Sequence, residues 1–426
     1  MRLRTRLPLA LAGFLILAQL INPDRVFVML LAALGLMHGV AWVWARSLRD
    51  RVHARRWSGG GWIIVGDVVV EHFELINEGF WPVLWAEVRD DSDMPDYRID
   101  RVAAVGGHGA FAWQTEGLCT RRGVFTLGPW ALIMSDPLGL FQVTLRFPES
   151  RTLLVYPRII RLPEFPLPHG RAGGRAARPT PIPLQADQVA GARPWQPGDS
   201  LRLVHWKLTA HANRLMVKQF EQEPAGDLWL LLDADAAVQA GQGQESALEY
   251  GVTLAASLAA KHLNENRAVG LAVFGREQAI IPPRPGRDRL WTLLHALAHV
   301  EPAADWPLAR VLRHVRADLG RGKTLILITP ATGQGRDADW LAQLLQLRRQ
   351  DIAPAVILLD AASFRDETDP ALPALEDLLA DHNIPTVVIG KGYPFQPLPL
   401  FRRKRKVLKT LPGFGRVVEI EVEEEV

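Results

Sequence analysis

The sequence predicts an α/β protein: a parallel sheet with helices on both faces, preceded by a small all-β sandwich-like domain and an N-terminal two-helix membrane hairpin. Three observations predict it. After Asp227, short apolar runs alternate with longer stretches of helical periodicity. Between about 58 and 160 the runs are short, alternating and punctuated by Gly, Pro and Asp. Ahead of both lie two uncharged apolar runs split by Asn22-Pro23-Asp24-Arg25, which is turn chemistry.

The hairpin takes residues 1–57, with spans at about 7–21 and 26–45. A bilayer core needs about 20 apolar helical residues, so the second run suffices and the first is slightly short. A signal peptide fits the first run poorly, because a second span follows at once and no clear small-residue cleavage site separates them. Arg2, Arg4 and Arg6 precede the hairpin and Arg46, Arg49, Arg51, Arg55 and Arg56 follow it, against Arg25 alone in the turn. The positive-inside rule then places both ends in the cytoplasm, with the chain in the inner (plasma) membrane.

Residues 58–160 form the sandwich-like domain, with strands expected in "DVVVEHFELINEG", "VLWAEVRD", "GAFAWQTEG", "RRGVFTLGPWALI" and "RTLLVYP". "SDPLGLF", Ser135 to Phe141, reads as a turn with Gly139 at a special backbone angle. No nucleophile with a paired base occurs there, so the domain reads as a scaffold or binding module. Residues 161–190, rich in Pro, Gly and Arg, read as a linker. A 191–226 segment, a domain over 227–395 and a charged C-terminal tail over 396–426 complete the chain.

The 426 residues carry a net charge of +3, with 48% hydrophobic and 22% charged residues. That balance suits globular cores and gives no electrostatic footprint for nucleic acid. The tail's Arg402-Arg403-Lys404-Arg405-Lys406 run is offset by Glu421, Glu423, Glu424 and Glu425 and reads as a solvated face. Cys119 is the single cysteine, which excludes an intrachain disulfide and a Cys-rich zinc site.

Within "GARPWQPGDSLRLVHWKLTAHANRLMVKQFEQE", Pro197-Gly198 makes a turn and Asp199 or Ser200 caps a helix starting near Leu201. Asp199, Arg202, His205, Trp206 and Lys207 form the signature of this segment, with Trp206 expected in the domain floor. "LMVKQFEQE" reads as a strand. A catalytic reading needs a nucleophile beside His205, and Ser200 is the only nearby one. A cap and a salt bridge from Asp199 account for the same residues without catalysis, so no catalytic residue is expected.

In the last domain, strands are expected at "LWLLLD", "AVGLAVF", "KTLILIT", "APAVILL" and "PTVVIG", with helices between them. Ligands in such sheets bind at the carboxyl ends of the strands, where Asp233 and Thr329 fall. "GRGK", Gly320 to Lys323, precedes a strand and is no phosphate loop.

The order Pro-Gly-Asp, Arg202, His205-Trp206, Thr209-Ala210 and "LMVKQFEQE" resembles the bacterial family called Domain of Unknown Function 58. "RRGVFTLGP", "SDPLGLF", "LLVYP" and the hairpin extend the resemblance over nearly the whole chain. It implies a membrane-anchored protein with a von Willebrand factor A-like domain, commonly encoded beside AAA+ ATPases of the MoxR type. It implies no particular reaction. Metal-binding von Willebrand A domains carry Asp-x-Ser-x-Ser after the first strand, whose oxygens hold a hard divalent cation. Here the stretch is Asp233-Ala234-Asp235-Ala236-Ala237, and Thr329-Pro330-Ala331 stands where Thr-Asp-Gly is common. Two oxygen donors are gone, yet Asp235 offers a carboxylate of its own. Asp233, Asp235 and Thr329 are therefore the metal candidates, magnesium the cation they would take, and no cofactor the expectation.

The resulting expectation is a membrane-tethered interaction module or adaptor, not an enzyme, working with a MoxR-type ATPase through a degenerate von Willebrand A-like domain. The alternatives are a hydrolase-like enzyme using Asp199 and His205, and a metal-dependent ligand-binding protein at Asp233 and Asp235.

Overall fold

Short apolar runs bounded by Gly, Pro and Asp form most strands of this chain, and longer stretches of helical periodicity form its helices. The computed structural model describes all residues except 60, 100, 163–188, 196–203, 213, 221–226, 333–338, 398–401, 411–416 and 426. Two units result, one holding residues 1–158 and one holding most of 159–396.

The first unit begins with a short strand, Arg2–Leu3, followed by helices Leu7–Ile21 and Arg25–Arg51. Pro8 sits in the first turn of the first helix, and the Asp24 side chain caps the second by accepting from the Val26 N–H at 2.8 Å. An 18-residue window of the second helix has mean hydropathy 2.2 and is only 6% buried, so its length and composition suffice to cross a membrane. Its last turns differ: Ala41, Ala45 and Leu48 are buried, the latter two in the core of the sandwich.

That sandwich has three sheets. One runs in the order Arg2–Leu3, Phe141–Phe147, Trp130–Ser135, Val83–Asp90, Arg101–Val105. A second pairs Val52–Ser58, Val68–Asn77 and Gly109–Leu118, and a third pairs Ile63–Ile64, Arg151–Tyr156 and Gly123–Leu127. Residues 52–57, which the sequence groups with the hairpin, thus belong to a strand of the sandwich. Arg101–Val105 and Phe141–Phe147 are strands the sequence reading does not identify, and "RRGVFTLGPWALI" is two strands, broken at Gly128-Pro129. Phe73 stacks on Trp113 at 5.3 Å and meets Trp130 edge-on at 5.7 Å, filling the centre.

A charged cluster lies within this core. Arg56 Nη2 donates to Glu71 and Nη1 to Asp90, both at 2.6 Å, and the three side chains are 9%, 4% and 5% exposed. Tyr97 OH donates to Glu71. Burial works to strip Arg56 of its proton, but Glu71 and Asp90 outweigh it and raise its pKa. Burial first, then the Glu71 charge, holds the Tyr97 phenol far above its usual range.

The second unit carries a six-stranded sheet in the order Gln278–Arg284, Val269–Phe274, Leu228–Leu232, Thr324–Thr329, Ala353–Leu359, Thr386–Ile389. Ranked along the chain this is the 3-2-1-4-5-6 arrangement of doubly wound folds, with the third strand antiparallel. The α/β class expected from the alternation is present. The antiparallel edge strand is not foreseen by it: Gln278–Arg284 contains Pro282 and Pro283, which mask it as a loop and which only an edge tolerates. The inner strands are buried at every residue because both faces are covered. Trp229 and Leu231 pack with helices Leu308–Leu319 and Trp340–Arg348. On the other face, Leu232, Ile328 and Leu359 close over Gly251 of helix Ala247–Asn264.

His262, on that helix and 4% exposed, places Nδ1 2.9 Å from Glu265 Oε2. Burial lowers its pKa, Arg267 and Lys261 add to this, and Glu265 opposes it. The unfolded chain therefore binds a proton below about pH 6.5 that the folded chain refuses. Stability contributed above that pH is lost as pH falls toward the lower folded value. Thermal melts of the detergent-solubilised protein from about pH 7.5 to 5 should steepen in this window. A His262→Gln variant should show a shallower slope there, and an unchanged slope would remove His262 from the account.

The C-terminal tail is not featureless. Arg402–Thr410 and Val417–Glu425 pair antiparallel, with Arg402, Arg403 and Lys404 in register with Glu425, Glu424 and Glu423.

Candidate functional site

In a doubly wound sheet the strand order reverses between the first and fourth strands, and the crevice opens at their carboxyl ends. Here those strands are Leu228–Leu232 and Thr324–Thr329. Asp233 follows the first strand directly, and its N–H donates to the Ile328 carbonyl at 2.9 Å, which carries the pairing one residue further. Thr329 ends the other strand, so the topology brings the two side chains face to face.

Thr329 Oγ1 donates to Asp233 Oδ2 at 2.6 Å and accepts from the Ala331 N–H at 2.9 Å. Asp233 Oδ1 accepts from the Asp235 N–H at 3.0 Å, and Asp235 Oδ1 from the Ala237 N–H at 3.1 Å. Gln239 Nε2 donates to the Asp233 carbonyl at 3.0 Å. From the other side, Ala303 exchanges backbone hydrogen bonds with Ala234 and Ala236 at 3.1 and 3.0 Å. Gly275 makes room for this segment, because the Glu301 carbonyl lies where a Cβ would stand. Asp233, Asp235 and Thr329 are 3%, 0% and 0% exposed. They form the internal frame of the 233–239 loop.

The sequence pattern thus brings all three metal candidates together. Their oxygens, however, are already engaged: both Asp233 carboxylate oxygens and the Thr329 hydroxyl have protein partners. Asp235 Oδ2 and Gln239 Oε1 are buried without a hydrogen-bond partner. Calcium takes about six to eight oxygen ligands, whereas magnesium is held through one or two carboxylates and keeps several waters. Among the described residues no group of three or more His, Cys, Asp or Glu is arranged to hold a metal. In this arrangement the Asp233 and Thr329 oxygens serve the loop itself.

Beside this frame opens a cleft of 340 Å³, floored by Ala237, Val238 and Pro330 and walled by the 361–370 loop with Arg365, Glu367 and Asp369. Arg365 Nη1 lies 4.0 Å from Glu367 Oε2, and both side chains are more than half exposed. The loop is held from within: Ser363 Oγ donates to the Asp360 carbonyl at 2.6 Å, and Ser363 N–H to Asp360 Oδ1 at 3.2 Å. Lys391 Nζ donates to Asp366 at 2.7 Å. Residues 361–370 are absent from the sequence-based candidates. The signal available was their place: a polar run directly after the strand Ala353–Leu359, next to the switch point.

In the signature segment, Asp199, Arg202 and the proposed cap at Asp199 or Ser200 lie outside the described residues. Leu201, the expected helix start, lies outside them too; a helix is present over Trp206–Ala212. His205 organises its start: Nδ1 accepts from the Leu208 N–H at 3.2 Å, and its own N–H donates to the Met216 carbonyl at 2.7 Å. Thr209 Oγ1 accepts from the Met216 N–H at 3.0 Å. The expected strand is present as Met216–Phe220, paired antiparallel with Val189–Pro194, a strand the sequence reading missed. Trp206 is not in the domain floor: it is 66% exposed, while Val204, Met216 and Val217 are buried. Lys207 is exposed beside it.

Comparison with known proteins adds three findings. Residues 191–376 match the family described as "Protein of unknown function DUF58", a span running from the signature segment through the cleft walls. YeaD of Bacillus subtilis is 31% identical over 189 residues, covering 44% of this chain and 44% of that protein. Rv1480 of Mycobacterium tuberculosis is 28% identical over 120 residues, 28% of this chain and 37% of that one. The matches thus span less than half the length of these relatives. Among solved structures, the SpRpn10 VWA domain is similar with TM-score 0.28 and 9% identity, over 40% of this chain and 90% of that one. A von Willebrand factor type A protein from Catenulispora acidiphila gives TM-score 0.24 and 10% identity, over 41% and 40%. Scores this low carry no weight for the fold, which rests on the strand order itself.

Proposed function

From the premise that residues 191–376 carry the domain of the DUF58 family, we propose that this protein is a membrane-tethered adaptor. It binds a protein partner at the carboxyl end of its doubly wound sheet and turns over no substrate of its own. The observation that carries this reading is the switch-point geometry. The acidic and hydroxyl side chains are spent on hydrogen bonds inside the 233–239 loop, while a charged, open cleft stands beside them. Such a frame holds a binding rim still, and among the described residues no nucleophile–base pair is seen beside it. A rigid rim with an exposed Arg is the kind of surface on which binding energy concentrates.

The partner is an AAA+ ATPase of the MoxR type, as the family resemblance implies. The tether is the N-terminal hairpin, crossing the inner membrane twice with the remaining domains in the cytoplasm. Two facts support this. Arg2–Leu3 pairs with Phe141–Gln142 of the sandwich, and helix Arg25–Arg51 runs into the same sandwich, so the excursion between them starts and ends at one domain. The basic residues gather at those two ends.

The site is tested with the purified ATPase and the full-length protein in detergent. Arg365→Glu should weaken binding by about tenfold or more, as loss of a central Arg anchor does, with the melting temperature unchanged because Arg365 is exposed. Binding equal to wild type would move the interface off this cleft.

A further inference from the structure

The hairpin and the sandwich meet at two loops whose construction is alike. The first is 77–82. Asn77, 1% exposed, donates from Nδ2 to the Trp81 and Gly106 carbonyls at 2.9 Å and accepts from the Gly79 N–H at 3.0 Å. The turn so fixed pushes Phe80 outward, where it is 75% exposed. Phe80 meets Trp81 edge-on at 5.7 Å, Trp81 meets Trp44 of the second helix at 4.4 Å, and Trp44 Nε1 donates to the Pro82 carbonyl at 3.1 Å.

The second loop is "SDPLGLF". Asp136, 1% exposed, accepts from the Leu138 N–H at 2.9 Å and the Phe141 N–H at 2.6 Å. Gly139 takes φ 66, and Leu138 stands 54% exposed at the tip. Arg4 N–H donates to the Leu140 carbonyl at 2.8 Å, so this loop adjoins the chain just before the first helix. In each loop a buried Asx side chain organises a turn that displays one large apolar residue to solvent, beside one leg of the hairpin.

Helix lengths give the level of these loops. The 15 residues of Leu7–Ile21 span only about 22 Å, short of a core of about 30 Å. On the other leg, about 30 Å measured from Arg25 ends near residue 44, which is Trp44. A bilayer covering the exposed apolar side chains of both helices therefore has its boundary at Trp44 on one leg and at residues 2–6 on the other. The 77–82 loop attaches to the first of these legs from Trp44 to Arg51, and the 135–141 loop to the second at Arg4. Aromatic residues belong at that depth, and Arg2, Arg4, Arg46 and Arg49 lie beside it to meet anionic headgroups.

Building on the reading that the hairpin spans the membrane, we infer that the sandwich is seated on the bilayer, with Phe80 and Leu138 inserted at the lipid interface. The two loops make up the length the first helix lacks. They fix the sandwich against the membrane at two points rather than leaving it on a swivel.

The full chain, reconstituted in vesicles of phosphatidylethanolamine and phosphatidylglycerol, tests this with nitroxide labels on Phe80→Cys, Leu138→Cys, Leu36→Cys and Glu149→Cys variants. Native Cys119 is 1% exposed and stays unlabelled. Glu149 lies beyond the end of strand Phe141–Phe147 that is remote from Arg2–Leu3, a strand length of about 20 Å away. Collisions with oxygen, enriched in lipid, are compared with collisions with a water-soluble nickel chelate. Phe80 and Leu138 labels should favour oxygen as the Leu36 label does, and the Glu149 label should favour nickel. If the loop labels follow Glu149 while Leu36 remains in lipid, the seating is wrong and the tether stands. If Leu36 also favours nickel, the membrane reading itself falls and the seating with it.

Discussion

Replacing Arg56 with alanine should destabilise the sandwich by about 3–5 kcal/mol, the scale of removing one partner from a buried ion cluster. Glu71 and Asp90 are 4% and 5% exposed and would face each other without their cation. Tyr97 would still donate to Glu71 but cannot neutralise it, since its phenol holds its proton far above the usual range. Thermal melting of the detergent-solubilised protein reads the loss. Adding Glu71→Gln to Arg56→Ala should recover part of it, because one stranded charge is then gone. A single substitution that leaves the melting temperature within a degree or so of wild type would show the cluster to be solvated. Apolar residues of matching volume across all three positions would remove the desolvation cost along with the charges, so the loss belongs to the stranded acids rather than to the pair itself.

Asp233→Ala should cost about 2–4 kcal/mol, because the Asp235 N–H and the Thr329 hydroxyl, both in fully buried residues, lose their acceptor together. Asp235→Ala should cost only about 1 kcal/mol or less, since one of its oxygens has no partner to lose. Melting curves for the two variants, with and without magnesium, check this. A frame of hydrogen bonds predicts unequal losses that magnesium leaves unchanged in every sample. Equal losses, with wild type alone stabilised by magnesium, would restore a metal site.

Much of this was legible in the chain because burial writes itself into period. The sheet strands buried on both faces read as unbroken apolar runs, and Asp233 and Thr329 could be placed at strand ends from those runs alone. What escaped had the opposite character. Gln278–Arg284 carries two prolines that only an edge strand accepts. Val52–Ser58 hides its alternation in the Arg-rich exit of a helix, where Arg56 reads as a surface charge although it is buried between two acids. Trp206 reads as a floor residue by its apolarity, but at the first turn of a seven-residue helix it is 66% exposed. Residues 361–370 carry no motif; they matter only because the strand order sets them next to the switch point.

In the proposed function the cleft beside the 233–239 loop holds a MoxR-type ATPase at the membrane. Its most direct test is capture of the full-length detergent-solubilised protein from its own cells, with and without ATP, alongside Arg365→Glu. Nucleotide-dependent retention of an AAA+ ATPase by wild type, lost in the variant, is the predicted result. No ATPase under either condition, or equal retention by both proteins, would contradict it.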